Sequence, residues 1–396
     1  MPGTESIASG LYALFSGFMP TWLSYLLAGL VIMVVIANAV LVYTMFFIWM
    51  ERRIIARFQV RFGPNRVGPA GLLQPIADAI KIITKEDIVP ANVDKWVYNL
   101  APIVFFIPTM VVFSVIPFGK GLYLTNVNIG ILFIIGVTTV SVFGIFMAGW
   151  SSNNKFALFG AMRAVAVLVS YEIPMVLSVV GVLIITGSLA LGDIVEKQTI
   201  PFILYQPLGF LVFLLAASAE LGRTPFDVLE ADSEIVAGYH TEYSGMKFGL
   251  FQLTEWAAAL ASSCIITTLF LGGWKGPLSP PIPPILWFLF KATSVFFFFL
   301  WTRSTLPRLR IDQIMAFAWK YLLPLSLVNV FLTALEALYF PDFPPFLVAV
   351  SLVASVATYL VLAKVFRFEW GKRQLLGRAP IVGVVSKFPE GEVQRG

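Results

Sequence analysis

Hydrophobic residues in this chain run in long unbroken blocks, not at the alternating or one-sided spacings of a water-soluble fold. Blocks at 22–50, 100–116, 129–150, 160–185, 202–219, 248–271, 285–302, 321–338 and 346–365 have the length, about 17–25 residues, that a helix needs to cross a hydrocarbon layer about 30 Å thick. The pattern predicts an all-α fold, a polytopic membrane bundle of about nine transmembrane helices. Two connectors are too long to be simple turns, at 51–99 and 220–247. The chain therefore divides into an N-terminal segment (1–21), a membrane domain (22–365) that carries both loops, and a polar, basic tail (366–396).

Composition agrees with that reading and narrows it. A soluble chain of 396 residues would divide into two or three domains, whereas 58% hydrophobic and 12% charged residues suit one bundle. The net charge of +5 does not signal a nucleic-acid partner, because the basic residues flank the apolar blocks. One set of loops holds Arg52, Arg53, Arg57, Arg61, Arg66, Lys81, Lys85, Lys95, Lys155, Arg163, Arg223, Lys247, Arg303, Arg308, Arg310, Lys320 and the basic tail; the opposite set holds Lys120, Lys197 and Lys275. Lysine and arginine favour the cytoplasmic side, so the N-terminus is expected outside and the C-terminus inside, with an odd number of crossings. The one cysteine, Cys264, and the one histidine, His240, are too few for an iron–sulfur cluster or a structural zinc, each of which takes about four such ligands. No metal site and no disulfide within the chain are expected. Residues 1–20 lack a Lys or Arg before their short apolar patch, so no signal peptide is expected. No internal repeat or matched pair of broken helices marks a self-sufficient transporter.

Charge inside such a chain is the next clue. The stretch AELGRTPFDVLEADSEIVAGYHTEYSG gathers Glu220, Asp227, Glu230, Asp232, Glu234 and Glu242 against one arginine, Arg223. Acids that close cannot all ionise freely, so some are expected to exchange protons near neutral pH. A solvated acidic loop that docks a basic partner is the alternative, and composition leaves both open. Within the blocks, Glu172 stands about 12 residues from one end, or roughly 18 Å at 1.5 Å per residue, and Glu255 roughly 12 Å in. An ionisable group at such depth costs about 2.5–3.5 kcal/mol, which makes it a functional suspect. Glu220, Glu255 and Glu172 thus form a graded ladder suited to proton transfer, against the alternative of unrelated interhelical hydrogen bonds. Arg163 lies on the opposite side of its helix from Glu172, which must find another partner. Lys291 is a weaker candidate for a counter-ion, and His240 reads as a structural residue.

The first long loop is also patterned. Arg53, Arg57 and Arg61 recur every four residues, which would place them on one side of a first helix prolonged beyond the membrane; snorkelling anchors are the alternative. Residues 63–68 imitate the start of a phosphate loop, but Pro69 and Ala70 stand where Lys and Ser/Thr are needed, which excludes a nucleotide site there. Leu72, Leu73, Ile76, Ile80 and Ile83 alternate at helical spacing with Gln74, Asp78, Lys81 and Lys85. That predicts an amphipathic helix in the membrane interface, either the doorway of a lipid-facing cavity or a surface anchor.

Three stretches carry a family resemblance: ERRIIARFQVRFGPNRVGPAGLLQPIADAIKIITKED (51–87), GRTPFDVLEADSEIVAGYHTEYSGMKFGLFQLTEW (222–256) and RSTLPRLRIDQIM (303–315). Together they resemble the NuoH family, the membrane subunit that joins the two arms of the proton-pumping NADH:quinone oxidoreductase, respiratory complex I, over about residues 22–365. The resemblance implies a subunit of a translocating enzyme in a prokaryotic plasma membrane, with no redox centre of its own. It implies a quinone, ubiquinone or menaquinone, as substrate, with FMN and iron–sulfur clusters held by partner subunits. The partners it implies are hydrophilic quinone-site and iron–sulfur subunits, small and antiporter-like membrane subunits, and membrane lipids. By resemblance Arg52, Arg61, Asp78 and Arg303 line a quinone chamber, and Glu220, Asp227, Glu230, Asp232, Glu234, Glu255 and Glu172 form an acidic path leading from it. Two positions depart from the usual pattern, Leu229 in place of proline and Asp232 in place of glutamate. Related readings are the equivalent subunit of a membrane-bound hydrogenase and a purely structural anchor.

Overall fold

A computed structural model describes residues 12–13, 15–17, 20–123, 125, 127–228, 235–276, 282–340 and 344–376. Numbered from Thr21, its helices are α1 (Thr21–Phe58), α2 (Gln74–Thr84), α3 (Lys95–Val112), α4 (Gly130–Ser151), α5 (Lys155–Thr186), α6 (Leu191–Lys197), α7 (Phe202–Tyr205), α8 (Pro207–Glu220), α9 (Gly245–Phe270), α10 (Pro284–Thr305), α11 (Ile311–Tyr339) and α12 (Leu347–Leu376). No strand occurs among the described residues. Backbone groups in hydrocarbon must bond within their own segment, and helices do this.

Seven of these helices, α1, α3, α4, α5, α9, α10 and α11, are long and apolar enough to cross a membrane. Of the nine expected spans, seven match these helices, and the fifth and ninth lie on other helices. The fifth is broken between α7 and α8 at Gln206, whose φ of −131° and ψ of 61° are not helical, because Pro207 starts a new helix without an N–H to continue the old one. The ninth lies on α12, which runs Leu347–Leu376. Packing divides the chain into 1–352 and 353–396; the second unit is described through the rest of α12, to Leu376.

The core forms where apolar helix faces meet. Phe47 of α1 stacks on Phe296 of α10 with ring centroids 3.8 Å apart. A side chain at Gly144 of α4 would bring its Cβ to 2.8 Å from the Phe105 backbone of α3, so glycine permits that close crossing. At Gly160 of α5 the obstacle would be Gly238, again at 2.8 Å. This second contact seats the short turn Gly238–His240 directly on α5. Helix α11 contains a π-helical segment, Ala318–Leu322. Before that segment the Ile314 carbonyl accepts from the Tyr171 hydroxyl at 2.8 Å; after it, Thr333 accepts from the buried Gln206 amide at 3.1 Å.

The first long loop differs from expectation in one respect. Helix α1 ends at Phe58 and Val60 takes a φ of +55°, a region that β-branched residues rarely enter. Arg53 and Arg57 therefore share the helix, whereas Arg61 lies beyond its end. The predicted amphipathic helix is α2, with Ile76, Ile80 and Ile83 exposed and Asp78 turned towards α1.

Candidate functional site

Two cavities adjoin in the bundle: one at the end where α1 and α10 finish and α9 begins, the other running from it towards the far end of α9. The larger, about 630 Å³, is polar. Its centre is Glu51, 3% exposed, at a level of α1 where the apolar block gives way to Arg52 and Arg53. Glu51 accepts hydrogen bonds from Arg223, at 3.3 and 3.4 Å to its two oxygens, and a short one from Arg303 at the end of α10. The Arg223 guanidinium also lies over the Trp256 ring, 4.3 Å from its centroid, a cation–π contact that adds to the ion pair. A buried carboxylate held by two guanidinium groups is a fixed charge, since taking away either sign leaves the other uncompensated in low dielectric. Arg52, Arg61, Asp227 and Glu255 complete the polar lining.

Asp78 is absent from that lining and reaches it through Arg52, to which it is ion-paired; Gln74 also donates to it, at 3.0 Å. Burial pushes the Asp78 carboxyl up, but the hydrogen bonds from Arg52 and Gln74 and the charges of Arg52 and Lys81 outweigh it and hold it below the ordinary carboxylate range. Asp227 is tied down by Arg308 at 3.0 Å, and Leu309 N–H bonds to the Pro225 carbonyl. The segment after α8 is thereby fastened to the connection between α10 and α11.

The smaller cavity, about 110 Å³, lies deeper among α3, α4, α5, α8 and α9. One water needs about 10–15 Å³ by this measure, so several fit. Among the described residues its walls are apolar apart from a few hydroxyls and three carboxylates from three helices, Glu172, Glu220 and Glu255, and no described lysine or arginine lines it. Glu172 accepts a short hydrogen bond from Thr139 of α4, the partner that Arg163 cannot be. Two residues on, Pro174 interrupts α5 and leaves the Ser170 carbonyl without its helical donor. Glu255 accepts from the Tyr239 hydroxyl at 2.8 Å, and Tyr239 is placed by the contact of its turn with Gly160.

The structure thus brings Glu172, Glu220 and Glu255 to one cavity, and Arg52, Arg61, Arg303, Asp227 and Glu255 to the other. Glu230, Asp232 and Glu234 lie outside the described residues. Glu242 serves the fold, accepting from Asn154 at 2.6 Å and, through its carbonyl, from Tyr98. Lys291 gives its protons to the carbonyls of Leu271, Gly273 and Lys275, so it closes the end of α9 and is no counter-ion. Sequence reasoning missed Glu51, Thr139 and Tyr239 as site residues. A carboxylate that ends an apolar block was the available signal for Glu51; a lone threonine or tyrosine offers none.

Comparison with known proteins places the chain in a family. The sequence profile of the family described as NADH dehydrogenase matches residues 30–334. The NADH-quinone oxidoreductase H subunit of Dehalococcoides mccartyi (strain CBDB1) is 57% identical over 344 residues, 87% of this chain and 97% of that protein. One of the NADH-quinone oxidoreductase H subunits of Geobacter metallireducens is 49% identical over 74% of this chain and 92% of its own length. The protein of the same name in Carboxydothermus hydrogenoformans is 48% identical over 73% and 83%. The chain belongs to the NADH dehydrogenase family of membrane proteins, and its relatives are the H subunits of NADH-quinone oxidoreductases.

Proposed function

We propose that this chain is the quinone-chamber subunit of a proton-pumping NADH:quinone oxidoreductase, and that it turns quinone reduction into protonation changes along buried carboxylates. The observation that carries the reading is the sharing of Glu255 between an arginine-lined polar cavity and an apolar cavity that also holds Glu172 and Glu220. Reduction of a quinone places negative charge in the polar cavity, and protons must follow it. One pKa unit is about 1.4 kcal/mol and moving one charge against 100 mV costs about 2.3 kcal/mol. Shifts of roughly two units in these groups are therefore of the size that coupling requires.

In this reading Arg52, Arg61 and Arg303, with Asp78 behind Arg52, line the quinone chamber. Asp227, Glu255, Glu220 and Glu172 carry protons onward, and Glu230, Asp232 and Glu234 belong to the same path. The quinone, ubiquinone or menaquinone, is a substrate. Cys264 is the one cysteine and is buried, so this chain's thiols do not fit an iron–sulfur cluster. FMN and the clusters belong to hydrophilic partner subunits, which dock on the long-loop end; small and antiporter-like subunits take up the path beyond Glu172. The basic loops put that end on the cytoplasmic side of a prokaryotic plasma membrane, with the N-terminus outside.

Glu172→Gln tests the relay, since it keeps shape and removes the titrating group. The whole complex should still assemble on a native gel, with NADH:quinone turnover reduced at least about tenfold, equivalent to about 1.4 kcal/mol in the barrier. Full turnover and full pumping in an assembled Glu172→Gln complex would leave the chain a structural anchor.

A further inference from the structure

The linings of the two cavities have two residues in common, Leu221 and Glu255. We propose that Leu221 is a hydrophobic gate between them and that Glu255 is the group that carries a proton past it; this rests on the relay reading above. The chain itself crosses the wall at Leu221. Glu220, immediately before it, lines the apolar cavity, and Gly222 and Arg223, immediately after it, line the polar one. On α9 the same boundary falls at Glu255, with Gln252 and Trp256 on the polar side and Ala258 and Ser262 on the apolar side.

Leu221 is set by the backbone. Leu221 caps α8 through its N–H to the Ala217 carbonyl at 3.0 Å. Gly222 then takes a φ of +58°, which turns the chain away, and Arg223 N–H returns to the Ser218 carbonyl at 3.1 Å. The leucine side chain is thereby held in the wall while Arg223 is delivered to Glu51. A branched alkyl group there offers water no hydrogen bond and breaks the file of water between the cavities. A continuous file would let protons run back as fast as they were moved.

Glu255 has a reason to sit on either side. Its carboxyl accepts from Tyr239, which lines the apolar cavity alone. On the other side stand Arg223 and Arg303, which attract it when charged and not when neutral. A charged Glu255 that turns to the polar cavity takes one proton from hydronium there, which is left as water. Neutral, it turns back to Tyr239, gives the proton to water or to Glu220 or Glu172, and is charged again. One proton crosses per cycle and none passes Leu221 in water.

The test uses the whole complex reconstituted in liposomes and reads protons moved per NADH oxidised, a ratio that does not depend on how much turnover a variant keeps. Leu221→Ser and Leu221→Ala should lower the ratio to less than half, and Leu221→Met, which restores an apolar plug of similar volume, should return it to the wild-type value. A wild-type ratio in both small variants overturns the gate. Failure of both to assemble makes Leu221 a packing residue and overturns it equally. Tyr239→Phe, which keeps the ring, should slow turnover several-fold at an unchanged ratio; unchanged turnover removes Glu255 from the role. A gate that fails beside an impaired Glu172→Gln leaves the relay standing, whereas a fully active Glu172→Gln removes both.

Discussion

Glu51 and Glu172 are the same residue type, both in helices of one bundle, and their surroundings differ in sign. Glu51 lies between two guanidinium groups and lines the polar cavity. Glu172 has a neutral hydroxyl for a partner in a cavity with no basic side chain among the described residues. Counter-charge holds the first in place, and removing that carboxylate would orphan two buried cations; among the described residues no cation depends on the second. The contrast separates a carboxylate tied to counter-ions from one held by a neutral hydroxyl, and only the second suits the relay proposed above.

The largest effect is expected where the fixed charge is removed. Glu51→Gln leaves Arg223 and Arg303 facing each other unneutralised, and breaking such a buried pair costs about 3–5 kcal/mol, towards the lower figure here because Arg303 is part-exposed. The thermal midpoint of the purified complex should fall steeply, and assembly on a native gel should drop; a stable, assembled Glu51→Gln complex would mean the arginines find other partners. Thr139→Val comes next. It takes away the hydroxyl that serves Glu172 but keeps the shape, and hydrogen bonds to charged groups are worth about 1.5–3 kcal/mol. Turnover should fall several-fold, less than in Glu172→Gln, with assembly intact. If Thr139→Val matched Glu51→Gln in lost stability, the contrast between the two sites would collapse.

Asp78→Asn should be the mildest, because Arg52 and Asp78 are partly exposed and exposed pairs contribute about 0.2–1 kcal/mol. Since pairing holds the Asp78 carboxyl below its ordinary range, its contribution is present at neutral pH and is lost as pH falls through that lowered value. Protease nicking of the 51–99 loop should therefore be faster in Asp78→Asn than in wild type at neutral pH, and equal in both once the medium is acid enough to protonate Asp78.

Long apolar blocks made the helices legible, because a block of that length has no other stable form in lipid. The broken fifth span was harder to see, since Gln206–Pro207 interrupts a run that hydrophobicity alone reads as continuous. The carboxylates inside the spans announced themselves by the cost of placing them there. Their company did not. Glu51 is held by residues 172 and 252 positions away, and Tyr239 reaches Glu255 only because two glycines let its turn lie on α5. The division into two cavities also stays hidden in sequence, because neighbours such as Glu220 and Arg223 fall on opposite sides of a wall that folding creates.

The π segment of α11 fixes an angular setting. A residue advances a helix by about 100°, and an i→i+5 turn carries one more residue than an α turn. The half of α11 keyed to Tyr171, the neighbour of Glu172, and the half keyed to Gln206 at the broken fifth span are thus indexed to each other like two toothed wheels on one shaft. Excising a single residue from Ala318–Leu322 would slip that indexing by about 100°, so that only one end could stay engaged.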